Sequence, residues 1–318
     1  MRGLALLALA LGATSVPLLA QSVAPPTPGT IASDPAGAAP DFLGLGEASE
    51  RMTVPVSIGT SGPYHFIIDT GAERTVVSRE LAGMLKLTAG RRVRVTTMSG
   101  AGELGTFLLP ELRISRITPA PIEAPAVEAR NLGAVGMLGI DALKGHAVSI
   151  DFDKQLMEVR PSKKRSFIAA PDEIVIRAKN LFGQLIVTDA RYRGRRISVV
   201  IDTGSPVTIG NLALLNRVRT DRELGQISLL SVTGQLVRAD YRVIDQLSIG
   251  GIGFNQVPIA FTNGLPFKRF GLADTPALML GMDALKLFRR VQIDFANREI
   301  RFTLPRNATS RDAWPRDR

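Results

Sequence analysis

The chain has 318 residues, 45% apolar and 21% charged, which is enough for two domains of ordinary size with separate cores. With no cysteine and only His65 and His146, it excludes disulfides, thiol nucleophiles and thiolate metal sites, and it disfavours a histidine metal centre or a Ser-His-Asp triad. A net charge of +10 favours anionic surfaces or substrates, but aromatics are only 5% and no basic run is interleaved with them, so nucleic acid is not an expected partner.

Met1 to Ala20 carries one early charge, Arg2, then an apolar run and small residues, the pattern of a secretory signal peptide. We assign 1–24 to the signal and expect a periplasmic or secreted, bacterial protein with no stable membrane insertion after cleavage. Residues 25–49, rich in Ala, Pro, Gly and Ser, read as a flexible lead-in. A first domain, 50–160, opens with alternating Thr53 to Ile58 and a second strand ending Phe66-Ile67-Ile68 before Asp69-Thr70-Gly71-Ala72. Ser78 is placed to cap a helix through Leu81, Met84 and Leu85. Arg92 to Thr97 alternates into a hairpin tip at Met98-Ser99-Gly100, Leu138-Gly139-Ile140-Asp141 precedes a short helix, and a strand hairpin runs from Ala147 to Arg160.

After a basic linker, 161–171, a second domain, 172–305, repeats these features in order, and 306–318 is a polar tail. Val199-Val200-Ile201 leads into Asp202-Thr203-Gly204-Ser205, Asn211 is placed to cap Leu212 to Leu215, and Thr233-Gly234 occupies the hairpin-tip position. Leu280-Gly281-Met282-Asp283 and Val291 to Phe295 complete the copy. The Asp-Thr-Gly copies lie 133 residues apart and the Leu-Gly-x-Asp copies 142 apart, an in-register duplication with about nine extra residues in the second half. One Asp-Thr-Gly alone reads as a turn; two in matched contexts call for a joint explanation.

This double set resembles the retropepsin-like (retroviral-type, pepsin-like) aspartic proteases over about residues 50 to 160 and 172 to 305. The resemblance implies a mainly β fold: two tandem closed antiparallel β-barrel domains forming a pseudo-two-fold pair, with one Asp from each. It also implies an aspartic endopeptidase that needs neither cofactor nor metal and takes a peptide or protein substrate. Two carboxyls roughly 3 Å apart cannot both ionise, so such a pair shares one proton and supplies acid and base together.

By resemblance, Asp69 and Asp202 are the catalytic pair, Thr70 and Thr203 bond across the interface, and Gly71 and Gly204 let the loops approach. Ser205 is expected to donate to Asp202, which would make Asp202 the more ionised partner. Glu73 and Arg74, facing Pro206 and Val207 in the repeat, are expected to line unequal subsites, with Ser99, Gly100, Thr233 and Gly234 as mobile flaps over the substrate. Asp141 and Asp283 are read as helix caps, and Asp151 and Asp294 as structural. A monomer with an internal pseudo-dimer is expected, while a homodimer with sites between chains and a catalytically silent peptide-binding module on the same fold stay open.

Overall fold

The apolar triplets that precede each Asp-Thr-Gly are the centre of the architecture. In the first half, Thr53–Ile58 alternates buried and accessible residues and pairs antiparallel with Ser61–Ile68, whose last three residues are all buried. Ile67 and Ile68 then pair in parallel with Met137 and Leu138. This sets the Asp-Thr-Gly and Leu-Gly-x-Asp segments side by side, with Asp69 N donating to Leu138 O at 2.9 Å. The second half repeats the arrangement: Ser198 to Ile201 runs parallel to Ala277 to Leu280, and Asp202 N donates to Leu280 O at 3.0 Å.

The structure is a computed structural model describing residues 42–44, 52–115, 117–162, 169–181, 183–218 and 222–306. All of them fall in one compact unit, Ala39–Arg318. The signal-like segment 1–24, most of the lead-in, the basic centre of the linker and the tail from Asn307 lie outside the described residues. Within the expected lead-in, Phe42–Gly44 is a strand, parallel to Ser228, Leu229 and Leu230. It covers the outer edge of a hairpin whose backbone groups would otherwise lack partners.

The described residues are mainly β, with two tandem curled-sheet domains of the expected pseudo-barrel class. The first is built on an eight-stranded path and the second on an eleven-stranded sheet. Antiparallel pairs dominate, but each Asp-bearing strand meets its Leu-Gly strand in parallel. Ser78 caps the helix Arg79–Met84 by accepting from Leu81 N, and Asn211 caps Leu212–Leu215 by accepting from Leu214 N.

A five-stranded sheet joins the halves: Leu156–Pro161, His146–Asp151, Arg290–Asp294, Glu299–Thr303 and Glu173–Arg177 in order. Val148 faces Ile293 and Ile150 faces Val291 across its centre. All four are buried in a core cluster that runs without a break into both domains. Each fully buried side chain of this kind is worth about 1.5–3 kcal/mol, so the sheet is a strong joint between the halves. Asp151 and Asp294 serve this sheet: Asp151 accepts from Arg290 at 2.6 Å, which holds its carboxyl below the usual range, and Asp294 accepts from Ser162 at 2.7 Å.

Candidate active site

Each Asp-Thr-Gly leaves its buried strand at the same end of its domain, and the two loops meet face to face. Thr70 Oγ1 donates to Ile201 O at 2.7 Å, and Thr203 Oγ1 donates to Ile68 O at 2.7 Å. Each hydroxyl also accepts from the opposite threonine's backbone N–H at 3.2 Å. Thr70 and Thr203 are both buried, so these four bonds lie out of solvent. The glycines are required by the partner carboxyls. A Cβ on Gly204 would sit 2.2 Å from Asp69 Cγ, and one on Gly71 would sit 3.0 Å from Asp202 Cγ.

The carboxyls face each other across this junction, in unlike surroundings. Asp69 is partly accessible and accepts from Gly71 N at 2.8 Å and Ala72 N at 2.9 Å, two donors that favour a carboxylate. Asp202 is 6% exposed. Burial, then the charge and hydrogen bond of Asp69, push its carboxyl well above the usual range, outweighing the backbone donors of Gly204 and Ser205. The raised carboxyl runs against the expectation that Ser205 would favour the charged form of Asp202. The physical reason is direction: the Ser205 hydroxyl turns away and donates to Val207 O at 2.6 Å.

Asp141 and Asp283 bond the first turn of their own helices and also clamp it to a distant loop. The N-caps of their helices are Gly139 and Gly281, and neither makes a side-chain cap bond. Asp141 accepts from Thr75 N, Thr75 Oγ1 and Ala142 N at 2.8, 2.6 and 2.8 Å, tying the helix to the loop after Asp69. Asp283 accepts from Thr208 N, Thr208 Oγ1 and Ala284 N at 2.9, 2.7 and 2.7 Å in the same way. Thr75 and Thr208 went unassigned in the sequence, although both stand six residues after the Asp of their motif.

The hairpin tips meet over the junction. Ser99 Oγ lies 3.0 Å from Ser231 Oγ and 3.3 Å from Thr233 Oγ1, a hydroxyl cluster joining the two tips. Ser99, Gly100, Thr233 and Gly234 thus hold the tips instead of lining the space below, which belongs to their neighbours Thr97, Met98, Ser231 and Val232. Each tip rests on the opposite domain: Met98 packs on the second half's apolar cluster and Val232 on the first half's.

Beneath them is a cleft of about 310 Å³ with Asp69 and Asp202 in its wall. This lies at the small end of ligand pockets, so a longer peptide requires the tips to part. Glu73 and Arg74 both border the cleft, while Pro206 and Val207 do not, so the two sides are unequal. Glu73 is held by Arg269 of the other half through two bonds of 2.6 Å. Arg74 and Arg94 are exposed at the cleft, and Arg74 acts on Asp141 and Glu123 only through its charge.

Sequence reasoning missed Arg94, Arg269 and Gln184. Gln184 is fully buried at the start of the strand Gln184–Tyr192, borders the cleft, and donates from Nε2 to Gly71 O at 3.1 Å. Its Oε1 has no partner among the described residues, a condition that costs about 1–3 kcal/mol for a buried acceptor.

Comparison with known families gives two matches in tandem. Residues 54–145 match the family described as gag-polyprotein putative aspartyl protease, and residues 188–284 match the family described as aspartyl protease. No curated protein matches the chain significantly.

Proposed function

We propose that this chain, which carries two tandem aspartyl protease domains of the retropepsin-like kind, is an endopeptidase whose single site is shared by its two halves. The observation that carries the reading is the unlike carboxyl pair: Asp69, partly accessible and accepting from two backbone N–H groups, stands against a buried Asp202 whose carboxyl is pushed up by burial and by Asp69. Amide hydrolysis without a covalent intermediate needs that pairing of base and acid. Asp69 takes a proton from a water that attacks the scissile carbonyl carbon, while Asp202 gives its proton to the carbonyl oxygen. As the tetrahedral intermediate collapses, the proton on Asp69 passes to the leaving nitrogen, the C–N bond breaks, and Asp202 regains its proton from the hydroxyl. The apparent pKa values belong to the pair.

Several features support a complete site in one chain. The threonine bonds and the five-stranded sheet are both formed between halves of the same polypeptide. The closed hairpin tips would part to admit an extended peptide and exclude bulk water once it is bound. The signal-like pattern of Met1 to Ala20 supports a periplasmic or secreted enzyme, which amino-terminal sequencing of the protein from its host tests directly.

The experiment is digestion of a random peptide library from pH 3 to 8 in ¹⁸O-labelled water. We expect internal cleavage on the acid side of neutrality, with one labelled oxygen in each new carboxyl terminus. A folded protein that binds peptides yet cleaves none across this range would make the chain a binding module.

A further inference from the structure

Among the polar groups around the cleft, Gln184 has no part in the carboxyl chemistry and yet is fully buried. The preceding residue, Gly183, has φ +93 and presses against Ile140 of the first half, where a Cβ would lie 3.0 Å from Ile140 Cγ2. That contact delivers the Gln184 side chain across the junction onto the loop that carries Asp69. Its Nε2 donates to Gly71 O at 3.1 Å, which fixes which end of the amide is nitrogen and leaves Oε1, on a residue that borders the cleft, as the unmatched acceptor. Gly71 in turn abuts Asp202, so this acceptor stands close to where a peptide bond would be cut.

A buried acceptor with no partner among the described residues is unfavourable unless something else fills it. The matching group is a donor, and an extended peptide presents main-chain N–H groups at every residue. We propose that Gln184 is a substrate-binding residue that accepts a main-chain N–H of the peptide within a residue or two of the scissile bond. The inference rests on the peptidase reading of the site. It adds a residue that grips the backbone rather than a side chain, and so contributes affinity and register without sequence preference. The same amide spans both halves, so binding there also fastens the loop of Asp69 to the second domain.

The test uses the full mature chain and the best-cleaved peptide from the library, remade as a series of depsipeptides. Each has one main-chain N–H outside the scissile amide replaced by an ester oxygen. We expect one position near the scissile bond at which the wild type loses about tenfold in kcat/KM, or about 1.4 kcal/mol. Gln184→Met, similar in size and without the acceptor, loses nothing further at that position and matches the wild type's losses elsewhere. It cleaves the all-amide peptide about tenfold less efficiently, chiefly through KM.

Equal losses in wild type and Gln184→Met at every position would overturn the inference and leave the peptidase reading standing. No cleavage of any peptide by the wild type would overturn that reading and the inference with it. Should Gln184→Met fail to fold, the Gln184 side-chain NH₂ resonances of the wild type, bound to a non-cleavable analogue, decide the matter. A shift on binding that disappears with one ester supports the contact; a shift unaffected by every ester refutes it.

Discussion

Replacing Thr70 by valine isolates the junction on which the whole site depends. Thr70 Oγ1 donates to Ile201 O at 2.7 Å and accepts from Thr203 N at 3.2 Å, and the residue is 2% exposed. Valine keeps the shape but removes both bonds, leaving two buried backbone groups short of a partner. Each orphaned group costs about 1–3 kcal/mol; with one of the two bonds long, we expect a total near ~3 kcal/mol. For a chain of 318 residues that corresponds to a fall in melting temperature of roughly 4–5 °C. Urea unfolding measures it as a lower midpoint at unchanged m. Thr70→Ser, which keeps the hydroxyl, should stay within about 1 kcal/mol of the wild type. By the pseudo-symmetry of the bonds, Thr203→Val should lose a similar amount. A Thr70→Val protein within about 0.5 kcal/mol of the wild type would refute the argument that these hydroxyls hold the halves together.

Asp202 binds its proton more tightly folded than unfolded, so its contribution to stability is full below about pH 3.9 and is lost as pH rises through its raised folded value. Asp202→Asn cannot ionise and should therefore gain stability over the wild type at pH 7 that is absent at pH 3, by urea unfolding at both; an equal difference at the two pH values contradicts the raised pKa. Gly204→Ala places a Cβ 2.2 Å from Asp69 Cγ, against 3.0 Å to Asp202 Cγ for Gly71→Ala, so turnover should fall further in the former, by about 100-fold or more. Comparable rates in the two would show the loops to be compliant. Glu73 and Arg269 are part-exposed, so Glu73→Gln should change unfolding by less than about 1 kcal/mol. It should nonetheless raise kcat/KM for peptides bearing Glu over matched Gln peptides, because Arg269 is released; an unchanged ratio would place the pair away from bound substrate.

The parts of this site that follow from backbone periodicity were legible in the amino-acid order. The triplets before Asp69 and Asp202, the capping residues Ser78 and Asn211, and the duplicated Leu-Gly-x-Asp segments all signal themselves locally, and each forms the element expected of it. What depended on the direction of one side chain was not legible. Ser205 follows Gly204 just where a donor to Asp202 seemed available, but the turn at Pro206 brings the Val207 carbonyl into its reach instead. Asp141 and Asp283 do accept from Ala142 N and Ala284 N at the start of their helices, but their bonds to Thr75 and Thr208 across the fold have no local signal. Gln184 gave no signal at all: it sits at the start of an ordinary strand, and only the meeting of the halves brings it to the cleft and onto Gly71 O. The tip residues Ser99, Gly100, Thr233 and Gly234 stand two positions on from those that border the cleft, since a hairpin tip in sequence does not reveal which side chains turn inward.

The claim that one chain builds one site from both halves is tested most directly with Asp69→Asn and Asp202→Asn, assayed for peptide cleavage separately and mixed. The account predicts a folded but inactive protein in each case and no recovery on mixing, because each site takes both carboxyls from the same polypeptide. Cleavage surviving in either variant would mean that the halves do not share a site, and activity regained in the mixture would mean that the site is assembled between chains.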